Sequence, residues 1–161
     1  MPFEIRPAYG DTDNIKELFA EYTEMLFNLE SKIKHYLNLQ DYESELKDLN
    51  KKYGPPDGRL YIAYSGGQAV GCVALRKMNR EECEMKRLYV RPRFRSLGIG
   101  RALVDLIIGD AGKIGYQYMF LDTLPGLTEA VKLYELAGFY RIPAYNNTPI
   151  ENTIFMKINL R

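Results

Sequence analysis

A chain of 161 residues with 46% apolar and 27% charged residues and a formal net charge of +1 has the size and composition of one compact domain, able to bury roughly 70% of its unfolded surface. That balance excludes disordered, collagen-like and coiled-coil classes. So small a charge surplus argues against a protein that coats nucleic acid or an anionic membrane, leaving any basic function to local clustering. Cys72 and Cys83 have neither a CxxC spacing nor a neighbouring His, so a reducing, cytoplasmic setting is expected rather than a disulfide framework. The opening MPFEIRPAYGD lacks the basic and apolar regions of a secretory signal. No run approaches the roughly 18 apolar residues of a membrane span.

In chain order, Phe3 to Pro7 reads as a short strand, and Asp11 or Asp13 is placed to cap the helix that follows. Ile15, Leu18, Phe19, Tyr22, Met25, Leu26 and Leu29 recur at helical spacing and predict one buried stripe. A more polar helix is predicted over Tyr42 to Lys52, stopped by the prolines and glycines of YGPPDG. Three runs then change to strand character, LYIAYS, QAVGCVALRKM and ECEMKRLYV, joined by short turns at Ser65-Gly66-Gly67 and Asn79-Arg80, which predicts an antiparallel meander. A helix from about Gly98 to Lys113 leads to the apolar strand YQYMFLDT, expected to lie parallel to its predecessor because a helix joins them. A last helix, Leu127 to Ala137, stops at Gly138, with Phe139 placed for the apolar contact of a glycine-terminated helix. Phe139 to Ile142 and Thr153 to Leu160 finish the sheet on either side of the irregular PAYNNTPIEN. The predicted class is α/β (α+β): a single domain over residues 1–161, with a mixed sheet of about seven strands and helices on both faces.

Between Lys86 and Arg101 stand six basic residues (Lys86, Arg87, Arg91, Arg93, Arg95 and Arg101) and no acidic one. A solvated surface would explain the charge alone. Its placement adds more, because the segment joins a strand end to a helix start, where unpaired N–H groups and the helix dipole favour an anion. Gly98 and Gly100 permit close approach to the main chain, as a phosphate nest requires. A Walker A loop is excluded by spacing and by the missing Lys-Ser/Thr pair. A dinucleotide fingerprint fits Gly98 and Gly100, and Asp122 could stand as its ribose acid. It fails at Leu103, and seven residues separate the glycines from the strand end at Val90.

A third pattern fits better. Arg95-Ser96-Leu97-Gly98-Ile99-Gly100 after MKRLYVRP, followed about thirty residues later by Ala130-Val131-Lys132-Leu133-Tyr134-Glu135 and Gly138-Phe139, resembles the acyl-CoA-binding core of the GNAT superfamily of N-acyltransferases. The element order from Tyr61 to Leu160 agrees with that family, whereas the first sixty residues match only in having a strand and two helices. The resemblance implies acetyl-CoA as cosubstrate and a primary amine of a small molecule or peptide as acceptor. It involves no metal, no nucleic acid and no membrane, and is compatible with a monomer or a homodimer.

Carried onto this chain, the resemblance makes Leu88, Tyr89 and Val90 the strand end beside the pantetheine arm, with Leu88 and Val90 lending backbone groups. Arg95, Ser96, Leu97, Gly98, Ile99 and Gly100 become the pyrophosphate nest, with Arg101 just inside the helix. The N–H of Val90 is the expected oxyanion donor. Tyr134 is the family-matched acid, although periodicity alone would make it an ordinary core residue. A thiol near ~8.5 and a phenol near ~10 differ by roughly 2 kcal/mol, so Tyr134 is expected to act chiefly as a hydrogen-bond donor to sulfur. Glu84, six residues before Val90 and of the same parity, is the candidate base, with a surface ion pair to Lys86 or Arg87 and deprotonation by solvent as the alternatives. The sequence departs from the family at LDTLPG, where Thr123 replaces the usual cofactor-contacting Asn. His35, the single histidine, precludes a multi-His metal site and disfavours a His-based triad. The acceptor pocket is expected from Phe27 to Leu46 and Ala144 to Asn152, rich in Tyr and Asn. Two other classes stay open: an acyl-CoA-binding module without catalysis, and a nucleic-acid-binding domain.

Overall fold

The computed structural model describes residues 2–33 and 42–160. Strand β1 (Glu4–Pro7) leads into helix α1 (Thr12–Leu29), whose Ile15, Leu18, Phe19 and Leu26 are buried as their spacing predicts, while Leu29 is 46% exposed. Asp11 occupies the cap position, but its carboxylate accepts from the Asn14 side chain instead of a backbone N–H. The single helix expected over Tyr42 to Lys52 is two, α2 (Tyr42–Lys47) and α3 (Leu49–Tyr53). Asp48 divides them because its side chain accepts the N–H of Lys51 and starts a new helix, a preference of aspartate for caps over helix interiors.

Strands β2 (Arg59–Ser65), β3 (Gln68–Lys77) and β4 (Glu82–Val90) form the expected antiparallel meander. Helix α4 (Ile99–Ile114) then crosses to β5 (Tyr118–Thr123), which pairs parallel with β4. Helix α5 (Thr128–Ala137) and strands β6 (Tyr140–Ile142) and β7 (Ile154–Asn159) complete a seven-stranded sheet in the order β1-β2-β3-β4-β5-β7-β6. The single-domain mixed α/β architecture is the one expected. Leu103, Val104, Ile107 and Ala111 of α4 pack on one face of the sheet with Val73, Leu75, Met85 and Met119. Ile15, Leu18 and Phe19 of α1 pack with Tyr53 of α3 on the other face, against Ile62, Cys72 and Ala74.

The end of α5 orients a site residue. Gly138 has φ 111°, its N–H donates to Glu135 O, and the N–H of Phe139 donates to Tyr134 O. This paired C-terminal motif satisfies two carbonyls of the last turn. The rings of Tyr134 and Phe139 then meet edge to face at 5.9 Å. A Cβ at position 138 would sit 3.2 Å from Ile158 Cδ1 in a backbone conformation unfavourable for side chains. Gly138→Ala should therefore cost about 1–3 kcal/mol in urea unfolding; an unchanged midpoint would show that the turn does not depend on glycine.

Candidate functional site

The β4–β5 ladder is short. Glu82, Cys83 and Glu84 pair with Tyr118, Met119 and Phe120, and beyond them the strands part. Opposite the gap β4 carries a bulge: Cys72 faces Tyr89 and Ala74 faces Lys86, so Val73 alone spans Arg87 and Leu88. Arg87 takes φ 61°. Such an extra residue reverses which face the following side chains occupy. Cys83 and Met85 lie in the α4-side core before the bulge, whereas Leu88 and Val90 face that core after it. The equal parity of Glu84 and Val90 expected from counting is thus corrected: their side chains lie on opposite faces.

The same register fixes the backbone at the strand end. The N–H of Arg91 donates to Val70 O, so at this position β4's continuation turns its N–H toward β3. Gly71–Val90, one step along, is a pair whose N–H and C=O groups turn away from each other. The N–H of Val90 therefore points into the gap beside β5, as does that of Leu88 two residues earlier. Arg95 Nε reaches back to the Val90 carbonyl at 2.9 Å, and its guanidinium stands over the Tyr89 ring. Tyr89 itself turns to the α1 side, its hydroxyl donating to Glu21.

After a short 3-10 turn (Pro92–Phe94), Ser96 and Gly98 adopt positive φ of 64° and 86°, and α4 starts at Ile99 with no side chain capping its first turn. Arg95, Ser96, Leu97 and Gly98 are exposed, and Ile99 anchors the helix start in the core. A Cβ at Gly98 would meet nothing within 4 Å, and one at Gly100 would press on Leu133 Cδ2 at 3.3 Å. The loop thus presents helix N–H groups to an open surface, the arrangement that receives phosphate oxygens.

The basic run is less of a collar in space than in sequence. Arg91 is engaged by Glu17 and Glu21 of α1, Arg87 by Glu45 of α2, and Lys86 lies 3.8 Å from Glu84. Arg101 pairs with Asp105 one turn on, leaving Arg93 and Arg95 beside the loop with no acidic partner among the described residues.

Below the gap lies a cavity of about 60 Å³ where Tyr22, Lys86, Leu88, Asp122, Thr123 and Tyr134 meet. Burial pushes the Tyr134 phenol well above its ordinary value of 10.0, so it stays protonated. Burial likewise raises Tyr22, to about 12, and lowers Lys86 to about 8, against the pull of Glu84. Thr123 is buried at the end of β5, on the cavity wall. Thr148 and Ile150 bring the loop before β7 to the same space. His35 and much of the expected acceptor segment fall outside the described residues.

Glu84 is buried. Its carboxylate receives Arg76 Nε at 2.6 Å and the Tyr145 hydroxyl at 2.6 Å. Although burial raises its pKa, Lys86, Arg76 and the Tyr145 hydrogen bond hold it below the ordinary value. Asn146 donates to Asp122 at 2.8 Å, and Tyr145 packs edge-on against Phe120 and Phe155. Glu84 and Asp122 therefore moor the loop before β7. Sequence reading missed Tyr22, Lys86 and Asp122 as cavity residues; only the apolar spacing of α1 pointed inward at Tyr22. Tyr145 and Asn146 carry no motif, and their role rests on contacts 61 and 24 residues away.

The acetyltransferase (GNAT) family model matches residues 15–139. The chain is 40% identical over 152 residues to an uncharacterized N-acetyltransferase of Schizosaccharomyces pombe, covering 93% of this chain and 89% of that protein. A GNAT-family acetyltransferase from Staphylococcus aureus shares the fold with a TM-score of 0.81 at 18% identity, covering 99% of this chain and 100% of that one. The PaiA N-acetyltransferase of Thermoplasma acidophilum, solved in complex with coenzyme A, gives a TM-score of 0.74 at 18% identity over 99% of both chains. Among the described residues no helix is long and apolar enough to cross a membrane, and no group of His, Cys, Asp or Glu could hold a metal ion. The glycine loop at the start of α4, the parted strands and the Tyr134 helix are thus parts of one inherited plan, and the chain belongs to the GNAT family of acetyltransferases.

Proposed function

We propose that the protein transfers an acetyl group from acetyl-CoA to a primary amine of a small molecule or peptide. What supports this reading is the gap where β4 and β5 part: Leu88 and Tyr134 line the cavity there, the N–H of Val90 turns away from β3, and the strand leads within a few residues to the uncapped start of α4. Arg95 to Gly100 would hold the pyrophosphate, with Arg101 at the helix edge. Leu88 and Val90 would hydrogen-bond the pantetheine arm, and Thr123 would border the acyl end. The coenzyme A complex of the Thermoplasma protein, which shares this fold, supports the cosubstrate.

In the proposed reaction the amine nitrogen attacks the thioester carbonyl carbon, forming the C–N bond. The carbonyl oxygen gains charge that the Val90 N–H stabilises, and the C–S bond then breaks as the electron pair leaves on sulfur. Tyr134, kept protonated by burial, donates a hydrogen bond to the departing thiolate. Glu84 is poorly suited to take the proton from the amine. A carboxylate held below its ordinary pKa by two cations and a phenol is a weaker base than a free one. We assign Glu84 to mooring Tyr145, and deprotonation of the amine to solvent.

A screen of primary amines with acetyl-CoA, read as free thiol released, tests the reading. Release that requires both an amine and the enzyme is expected. No release with any acceptor, together with no coenzyme A binding by calorimetry, would sink it. Binding without release would favour the acyl-CoA-binding module. The open loop gives no comparable support to nucleic-acid binding, because Arg87 and Arg91 are spent inside the protein.

A further inference from the structure

The bulge in β4 is built on an unexpected residue. Position 87 has φ 61°, a conformation that glycine adopts freely and side chains resist, yet an arginine stands there with its side chain buried. Its Nε and Nη2 donate to the two carboxylate oxygens of Glu45, each at 3.0 Å, and its guanidinium lies near the rings of Phe19 and Tyr42. On the main-chain side, Cys72 Sγ donates to the Arg87 carbonyl at 3.3 Å. Glu45 is held in turn by Lys52 at 2.6 Å and the Tyr53 hydroxyl at 2.9 Å. An outlier held by so many partners points to a requirement at that position.

We infer that the Arg87–Glu45 pair is the clamp that keeps β4 bulged, making Arg87 a positioning residue for the acyl-CoA site. It touches no substrate and acts through the chain that follows it. Leu88 comes directly after the clamp, and the side to which the N–H groups of Leu88 and Val90 point depends on the extra residue remaining out of register. If the bulge relaxed into regular pairing, Val90 would turn its N–H toward β3 and its side chain away from the α4 core. The clamp also joins two halves of the site, because Glu45 belongs to α2, in the segment from which the acceptor pocket is expected, while Val90 lies on the cofactor strand. An arginine is required for this and a glycine is not enough: glycine would allow the bulge but would not select it over a regular strand.

This inference rests on the acetyl-CoA reading above, so the experiment separates the two. Coenzyme A is titrated by calorimetry into wild type, Arg87→Gly, Glu45→Gln and the double variant, at a temperature where circular dichroism shows each to be folded. Hydrogen exchange is followed at the amides of residues 88–90. Each single variant is expected to weaken coenzyme A binding by about tenfold and speed exchange at those amides. The double variant should be no worse than Arg87→Gly alone, because both changes remove the same clamp. In steady state, KM for acetyl-CoA should rise more than kcat falls, a split that general loss of folded protein does not produce. Arg87→Lys, which keeps the charge but loses the fork, provides the measurement if the other variants do not fold, and should weaken binding by about threefold or more. Folded variants that bind coenzyme A as tightly as wild type would overturn the clamp. A wild-type protein that does not bind coenzyme A would instead overturn the acetyl-CoA reading.

Discussion

Tyr134→Phe is expected to lower kcat by about 10²- to 10³-fold while changing acetyl-CoA affinity less than about twofold. The ring is buried among Leu121, Phe139 and neighbouring core residues, and removing one hydroxyl leaves that packing in place. The cost falls on the leaving group, where sulfur would lose its hydrogen-bond donor as the C–S bond breaks. The phenol lies far above its ordinary pKa because burial disfavours the phenolate. Tyr134 should therefore contribute no alkaline inflection, and the variant's pH–rate profile should keep the wild-type shape at a lower level. Stopped-flow thiol release with a good acceptor, beside calorimetry with acetyl-CoA, separates the two quantities. Turnover equal to wild type would remove Tyr134 from the mechanism.

The second large effect concerns stability. Glu45 is 5% exposed, and although burial raises its pKa, Arg87 and Lys52 more than offset that and hold it at about 2. A carboxylate lowered from 4.5 to about 2 stabilises the fold by roughly 3 kcal/mol at neutral pH. The sign follows from proton binding: below 4.5 the unfolded chain takes up a proton that the folded chain refuses. The contribution is therefore complete above 4.5 and is lost as pH falls toward 2. Glu45→Gln should lower unfolding free energy by about 3–5 kcal/mol at pH 7, because it leaves the Arg87 charge buried without its counter-charge. The deficit should shrink as wild type is acidified and its own carboxylate protonates. Urea unfolding from pH 7 to pH 3 measures both, and wild-type and variant curves that stay parallel across that range would contradict the assignment.

The strands, the pairing of the meander and of β5 with β4, and the helix that begins at the glycines are legible because local rules govern them. Alternation marks the meander, an apolar stripe marks α4, and Gly98 marks a positive φ that few other residues adopt cheaply. Tyr134 is legible only through its motif, since its spacing is also that of an ordinary core position. The bulge escapes notice because nothing in ECEMKRLYV distinguishes an arginine at positive φ from one in a regular strand. Counting by twos across it therefore misplaced Glu84 relative to Val90. The basic run misled for a related reason: the acids that neutralise Arg87 and Arg91 are 42 and 70 residues away. Charge read along a chain becomes charge in space only after the fold has brought its partners in.

The odd residue at position 87 also constrains how relatives of this chain can change in length. Deleting it would let β4 run in even alternation from Glu82 to Val90 with Leu88 and Val90 still facing α4, whereas gaining or losing any other single residue while the bulge stays would carry them to the wrong side of the sheet. The loop of residues 143–153, moored by Tyr145 and Asn146, can lengthen after Asn146 without disturbing any strand register. Under the proposed function, divergence in the amine acceptor can therefore accumulate as insertions in the loop, while the strand assigned to the thioester keeps its register.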